Sequence, residues 1–303
     1  KLNGRILADD QQRAEVAYLE VTAAADLPRG AYELSVGNAG GESERIKLHV
    51  GDLIQVDETE PNNDPAQADT AVLPASFWGV LGEHGDVDHF AFDGKVGQAI
   101  VLDLASSRLE AKGDFVLELA DQVGRVLAVS NDFDGQSDPL LSYVIPADGR
   151  YVVTVRDLTY GWSKDHFYRL TAGQLPLVTA CYPLSVPPES TTAIELIGPN
   201  LEPNTRLDFQ APASGEATLP IDPQRFRTRR ELTVLVGEGP EQLEAEPNDT
   251  PATAQPLMTR VINGRIDSVQ SEANPRERQA QTSIFIASKR RPVRSGSSRP
   301  TQP

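Results

Sequence analysis

Cysteine is almost absent, with Cys181 the only one in 303 residues. A disulfide within the chain is excluded, and so is a zinc site built on thiolates. The lone thiol is expected in a β-core. No run of about 18 apolar residues occurs, so no transmembrane helix is expected. Histidine is scarce, at four residues, and there is no G-x-S-x-G elbow, H-E-x-x-H helix or glycine-rich phosphate loop. A Ser-His-Asp set can be assembled around His89 in "DVDHF" or His166 in "KDHFY" only by arbitrary choice, and both read as strand residues. Asp86 and Asp88 suggest a glycosidase pair by spacing alone, which proves nothing. The chain reads as non-enzymatic. Positive charge is in deficit: 28 Lys and Arg against 44 Asp and Glu give a formal net charge of −16. That balance argues against nucleic acid and anionic membranes, and it suits oxygen-ligand cations such as calcium. No initiator Met and no signal-peptide pattern open the chain, so Lys1 is expected to lie inside a longer protein.

Glycine and proline are plentiful, at 23 each, as short strands and turns require. The most unusual feature is a phrase written twice. "VDETEPNNDPAQA" (56–68) returns as "LEAEPNDTPATAQ" (243–255), which places Glu58, Glu60, Pro61 and Asn62 on Glu244, Glu246, Pro247 and Asn248. The same offset of 186 residues aligns the "VG" of "IKLHVGD" with that of "LTVLVGE". One register held through a strand, a linker and a motif marks a tandem repeat of a two-part unit, too long for a solenoid.

Both parts alternate apolar and polar residues between turn signals, the period-two pattern of half-buried strands. The fold class expected is all-β, as tandem antiparallel β-sandwiches with a disordered C-terminal tail. Residues 1–52 are expected to be the closing part of an immunoglobulin-like module, and 53–65 an acidic linker. Residues 66–174 form the main sandwich, with turns at Asp93-Gly94, Gly124, Asp134-Gly135 and Asp148-Gly149. Residues 175–238 are a second immunoglobulin-like module, and 239–268 begin a truncated second sandwich. From 271 to 303 there are seven Lys and Arg against two Glu. This basic, Ser- and Pro-rich, aperiodic end (269–303) is expected to be disordered.

"EPNNDPAQA", "GDVDHFAF" and "GRVLAVSNDFDGQSDPLLSYVIPADGRYVVTVRD" together resemble the bacterial pre-peptidase C-terminal domain. That family is a jelly-roll-like β-sandwich that includes collagen-binding domains of clostridial collagenases. "EAEPNDTPATAQPLMTRVINGRID" resembles the start of a second copy. The flanking modules resemble the immunoglobulin-like IPT/TIG fold of plexins and transcription factors. One departure is "GDF" with Asp114, where the family often carries a "DP" pair.

In an extended segment Glu58 and Glu60 point to one side, and Asn62 and Asn63 can add amide oxygens. Asp86 and Asp88 in "GDVDHF" offer ligands from the body of the domain. The resemblance implies a calcium site made of Glu58, Glu60, Asn62, Asn63, Asp86 and Asp88; the alternative is a solvated linker beside a turn. Glu244, Glu246, Asn248 and Asp249 lack a "GDxD" partner, so a second site is expected to be weak or absent. "SNDFDGQSD" fails as an EF-hand, because Ser130 stands first and Leu141 replaces the bidentate Glu, leaving a turn at Asp132 and Asp134. Trp78, Tyr160, Trp162, Phe167 and Tyr168 either pack internally or form an exposed platform, with Tyr160 and Trp162 the candidates for a ligand surface. The function expected is that of a calcium-stabilised accessory protein, extracellular, cell-surface or periplasmic. Its partners would be neighbouring modules of a longer chain and an extracellular polysaccharide or fibrous protein. A fragment of a secreted peptidase and a purely structural stalk are the alternatives.

Overall fold

The computed structural model describes residues 2–7, 18–246, 248 and 251–265. The expected disordered tail, and Asp249 of the second motif, lie outside them. The described chain is built from strands and short 3-10 turns, and it divides into two compact units. One comprises residues 1–177 with 222–227, the other 178–221 with 228–303.

The centre of the first unit is a sandwich of ten strands, labelled β1 (Ile54–Asp57), β2 (Asp69–Thr70), β3 (Ala75–Val80), β4 (Asp88–Gly94), β5 (Ala99–Ala105), β6 (Phe115–Asp121), β7 (Val126–Ser130), β8 (Leu140–Val144), β9 (Gly149–Asp157) and β10 (Phe167–Gly173). One sheet runs β7-β6-β9-β4-β2 and the other β8-β5-β10-β3-β1. Neighbours are antiparallel except β1 with β3 and β2 with β4, where the chain crosses over before returning. The alternation in sequence sends Phe115, Leu117 and Leu119 of one sheet inward against Leu102, Leu104 and Leu170 of the other. At one end the core is aromatic. Phe77 meets Phe90 at 4.6 Å between ring centroids, and Tyr168 packs edge-on to Phe115 at 5.1 Å.

Of the expected turns, Asp93-Gly94 is paired strand, and the bend before β9 falls on Ala147-Asp148 with Gly149 already in the strand. Gly94 and Gly149 lie opposite each other in paired strands, and a Cβ on Gly94 would come within 2.9 Å of the Tyr151 ring. The chain reverses instead around Gly97, at φ +84°. Asp134 and Gly135, at φ +53° and +71°, do make a tight turn, closed by paired bonds between Phe133 and Gln136. Both central residues are left-handed, as an Asp-Gly hairpin turn requires.

The same unit also pairs Leu2–Leu7 with Tyr18–Ala23 and Gly30–Leu34 with Ile46–Val50, all antiparallel. In the second unit Thr191–Ile197 lies between Ala180–Tyr182 and Arg206–Gln210, while Thr233–Val236 lies between Ser185–Val186 and Gly215–Thr218. Cys181 is buried there with Ile194, Phe209 and Val234. Glu241–Leu243 then pairs in parallel with Val261–Asn263. The Asn263 amide locks this pair to the preceding strands. It accepts from Ser185 N at 3.1 Å and donates to Ser185 O at 3.2 Å and Glu241 Oε2 at 2.8 Å. Asn263→Ala leaves those buried groups unpaired and is expected to cost about 2 kcal/mol, read as a lower melting temperature for this unit.

Candidate metal centre

The repeated phrase is shaped by its own hydrogen bonds. Glu58 extends the β1–β3 pairing through its N–H to Trp78 O at 2.9 Å. Its Oε1 accepts from Val80 N at 2.8 Å, which turns the carboxylate back over the strand end. Thr59 N donates to Asp69 Oδ2 at 2.8 Å, and Asn62 N donates to Glu60 Oε2 at 2.9 Å. The buried His89 on β4 donates from Nδ1 to Asn62 O at 3.0 Å. Asn63 Oδ1 accepts from Val87 N at 2.7 Å. The linker is thus sewn onto the sandwich, not left in solvent.

Sewing brings carboxylates together. One oxygen each of Glu58, Glu60 and Asp88 lie within 4.8 Å of one another. Asp86, in the loop before β4, anchors Oδ2 on Gly82 N at 2.7 Å. The Tyr168 hydroxyl donates to Asp88 Oδ2 from below. Apart from the contact between the Glu58 and Asp88 carboxyls themselves, four buried oxygens have no protein partner: Glu58 Oε2, Asn62 Oδ1, Asp86 Oδ1 and Asp88 Oδ1. Buried oxygens left unpaired are costly, and most native proteins avoid them.

The electrostatics agree. Burial, followed by the adjacent Glu60 and Asp86 charges, pushes Glu58 up to about 7 against the pull of Val80 N. Burial and the Glu58 charge push Asp88 up to about 9. Burial and Asp88 hold the Tyr168 phenol well above its ordinary value. Every charged neighbour that shifts Glu58 or Asp88 is itself acidic. A buried acidic group without a cationic partner fits a hard cation, which takes about six to eight oxygens.

Three of the six residues singled out by sequence, Glu58, Glu60 and Asp88, gather here, with the Asp86 charge near enough to raise Glu58 and Asp88 and Asn62 bonded to Glu60 through its N–H. Asn63 lies beside them but is exposed, with its amide oxygen committed to Val87 N. Tyr168, one of the aromatics expected either to pack internally or to form an exposed platform, packs internally and is wholly buried. Its signal was available, since Tyr168, Leu170 and Ala172 share the core face of an alternating strand. Gly79 was missed altogether. A Cβ there would lie 2.5 Å from Glu58 Oε2 and closer still to Tyr168 Oη.

The second phrase repeats the wiring in its own unit. Glu244 N donates to Asn263 O at 2.9 Å and Glu244 Oε1 accepts from Arg265 N. Ala245 N donates to Gln255 Oε1 and Asn248 N to Glu246 Oε2, both at 2.8 Å. Gly264 stands where Gly79 does, with Glu244 Oε2 at 3.0 Å from the Cβ position. The bonds of Glu244 and Glu246 thus repeat those of Glu58 and Glu60.

No family profile matches the chain. A probable subtilase-type serine protease of Deinococcus radiodurans is 36% identical over 121 residues, covering 37% of this chain. The chain spans only 16% of that relative's length. Among solved structures, the pre-peptidase C-terminal domain of a Bacillus anthracis collagenase aligns at a TM-score of 0.29 and 18% identity, over 35% of this chain and 93% of that domain. PliG of Aeromonas hydrophila, a periplasmic inhibitor of g-type lysozyme, aligns at 0.25 and 14%, over 39% of this chain and 97% of that one. Fold and site define an all-β sandwich module closed by an acidic clasp. Within that class, about a third of the chain is similar to the pre-peptidase C-terminal domain of a collagenase.

Proposed function

We propose that the chain is a non-catalytic accessory part of an exported protein, and that its central sandwich binds calcium at the linker clasp. The observation that carries this reading is the set of unpartnered buried oxygens on Glu58, Asn62, Asp86 and Asp88. With Glu60 they supply mixed carboxylate and amide oxygens of the kind calcium takes. The ion would neutralise the cluster and fasten the linker to β3 and β4, stiffening the joint with the module before it. The immunoglobulin-like modules act as spacers, and the sandwich surface meets an extracellular polymer or protein. Export outside the cell or to the periplasm is part of the same reading.

Thermal melting in calcium and in chelator tests the clasp. At about a hundred times its dissociation constant calcium is expected to add ~2.7 kcal/mol, and Glu58→Ala/Glu60→Ala to abolish the response. A wild-type melting curve indifferent to calcium would remove the metal from this reading. The subtilase-type relative favours a second reading, an ancillary part of an exported peptidase. Peptidase motifs encoded in the same reading frame upstream of Lys1 would favour it over a free-standing module.

A further inference from the structure

We propose that the loop between β9 and β10 is a binding platform for neutral polysaccharide, whose sugar rings stack on Tyr160 and Trp162. The inference rests on the reading of this chain as a binding module, and it names the class of polymer.

Leu158, Tyr160 and Trp162 alternate along the loop and are 43%, 61% and 49% exposed. Such side chains in a floppy loop would mean little, but this loop is built. The Asp157 carboxylate is buried and accepts from Asp114 N at 2.9 Å, and from Thr159 N, Thr159 Oγ1 and Gly161 N at 2.8 Å each. Tyr160 sits at φ +60°, a region that bulky residues avoid and that persists where surroundings enforce it. Gly161 is required by close approach, since a Cβ would lie 2.9 Å from His166 Nε2. Further along, Ser163 N donates to Leu81 O and Leu81 N to His166 O, both at 3.0 Å. Ser163 Oγ and His166 Nδ1 bond at 2.7 Å. Strain and a buried carboxylate are thus used to hold two aromatic rings in water. Rigid amphipathic rings lose little entropy on binding.

The charge pattern selects the ligand. Arg156 lies 5.9 Å from the Tyr160 ring centroid and is paired with Glu118 at 3.1 Å. Lys112 is paired with Asp165 at 2.8 Å, and Lys164 flanks that carboxylate. With buried Asp157, and Asp114 whose charge acts on it, three cations face four carboxylates, so the platform is close to neutral on a chain of net charge −16. An acidic polymer is repelled by the whole, and a basic one finds only a single carboxylate in excess. A polypeptide bound by strand addition wants free backbone partners, but the loop amides of 159, 161, 163 and 166 are already bonded within the protein. A neutral sugar needs neither, because it offers an apolar C–H face to a ring while its hydroxyls stay hydrated.

The test is sedimentation of the chain with microcrystalline cellulose, chitin and insoluble starch, and with gelatin beads, in calcium. Wild type is expected to co-sediment with at least one polysaccharide. Tyr160→Ala/Trp162→Ala is expected to lose that binding at least tenfold with an unchanged melting temperature, and Tyr160→Phe/Trp162→Phe to retain it. Failure on all three polysaccharides, retention on gelatin alone, or undiminished binding by the alanine variant overturns the proposal. Melting in calcium is scored separately. A calcium response without polysaccharide binding sinks the platform and leaves the clasp, and the converse sinks the clasp alone.

Discussion

Gly79→Ala is expected to lower the melting temperature of the central sandwich by about 15 °C, from a loss of roughly 4 kcal/mol. One methyl group would do this because of what surrounds it. The added Cβ would meet Tyr168 Oη and Cζ and, at 2.5 Å, Glu58 Oε2. None of these is the free end of a surface side chain. Tyr168 is fully buried, with its ring edge-on to Phe115 and Phe90. Glu58 is held by Val80 N. Relief therefore requires breaking either the aromatic end of the core or the clasp. Gly97→Ala is the contrasting control, since a Cβ there meets nothing within 4 Å and the change strains only a φ of +84°. It is expected to cost about 1 kcal/mol. A Gly79→Ala protein melting within a few degrees of wild type would show that the clasp does not close over β3 as described.

The second large effect is on pH. In the folded, metal-free protein Glu58 is raised to about 7 and Asp88 to about 9, whereas in the unfolded chain both titrate near 4. An acid whose folded pKa is raised binds its proton more tightly in the native state. Its favourable contribution is complete below about pH 4 and fades as pH rises, until it is gone above about 9. In chelator, the melting temperature should fall between pH 5 and pH 9 by about 10 °C, on the order of 3 kcal/mol. Part of any fall comes from general self-repulsion of an acidic chain, so the informative quantity is the difference from Asp88→Asn. That variant removes the buried charge. It is expected to flatten the profile, to be more stable than wild type in chelator at pH 8, and to lose the calcium response. Parallel profiles for wild type and Asp88→Asn would refute the burial of this charge.

Much of the sandwich was legible, because period-two alternation fixes which residues of β4, β5, β6 and β10 face inward. Parallel pairing was not. Four residues, Ile54–Asp57, carry too little pattern to reveal that the presumed linker supplies an edge strand, and nothing local says that β1 runs alongside β3. Asp93-Gly94 looks like a turn in sequence because the dipeptide cannot tell a left-handed backbone from a strand glycine kept small for Tyr151. In the clasp, two-residue spacing suggested that Glu58 and Glu60 share a side, whereas only the family resemblance brought Asp88 to them. Asn63 followed a different rule, since a side chain next to a loop amide bonds it. Tyr168 and Gly79 are long-range neighbours of Glu58, and only the folded sheet brings them there.

Val80, Leu81 and Gly82 each direct a backbone N–H to a different place: to Glu58 in the linker, to His166 O in the aromatic loop, and to Asp86. Successive amides of an extended chain point alternately to opposite sides, so these assignments depend on counting. Inserting or deleting a single residue after Gly79 would reassign every one of them at once. The linker and the aromatic loop can lengthen freely between their fixed points, but this tripeptide cannot. The second phrase obeys the same count, with the amide that meets Glu244 immediately following Gly264. Variation in length among chains built on this clasp should therefore fall everywhere around the tripeptide and never within it.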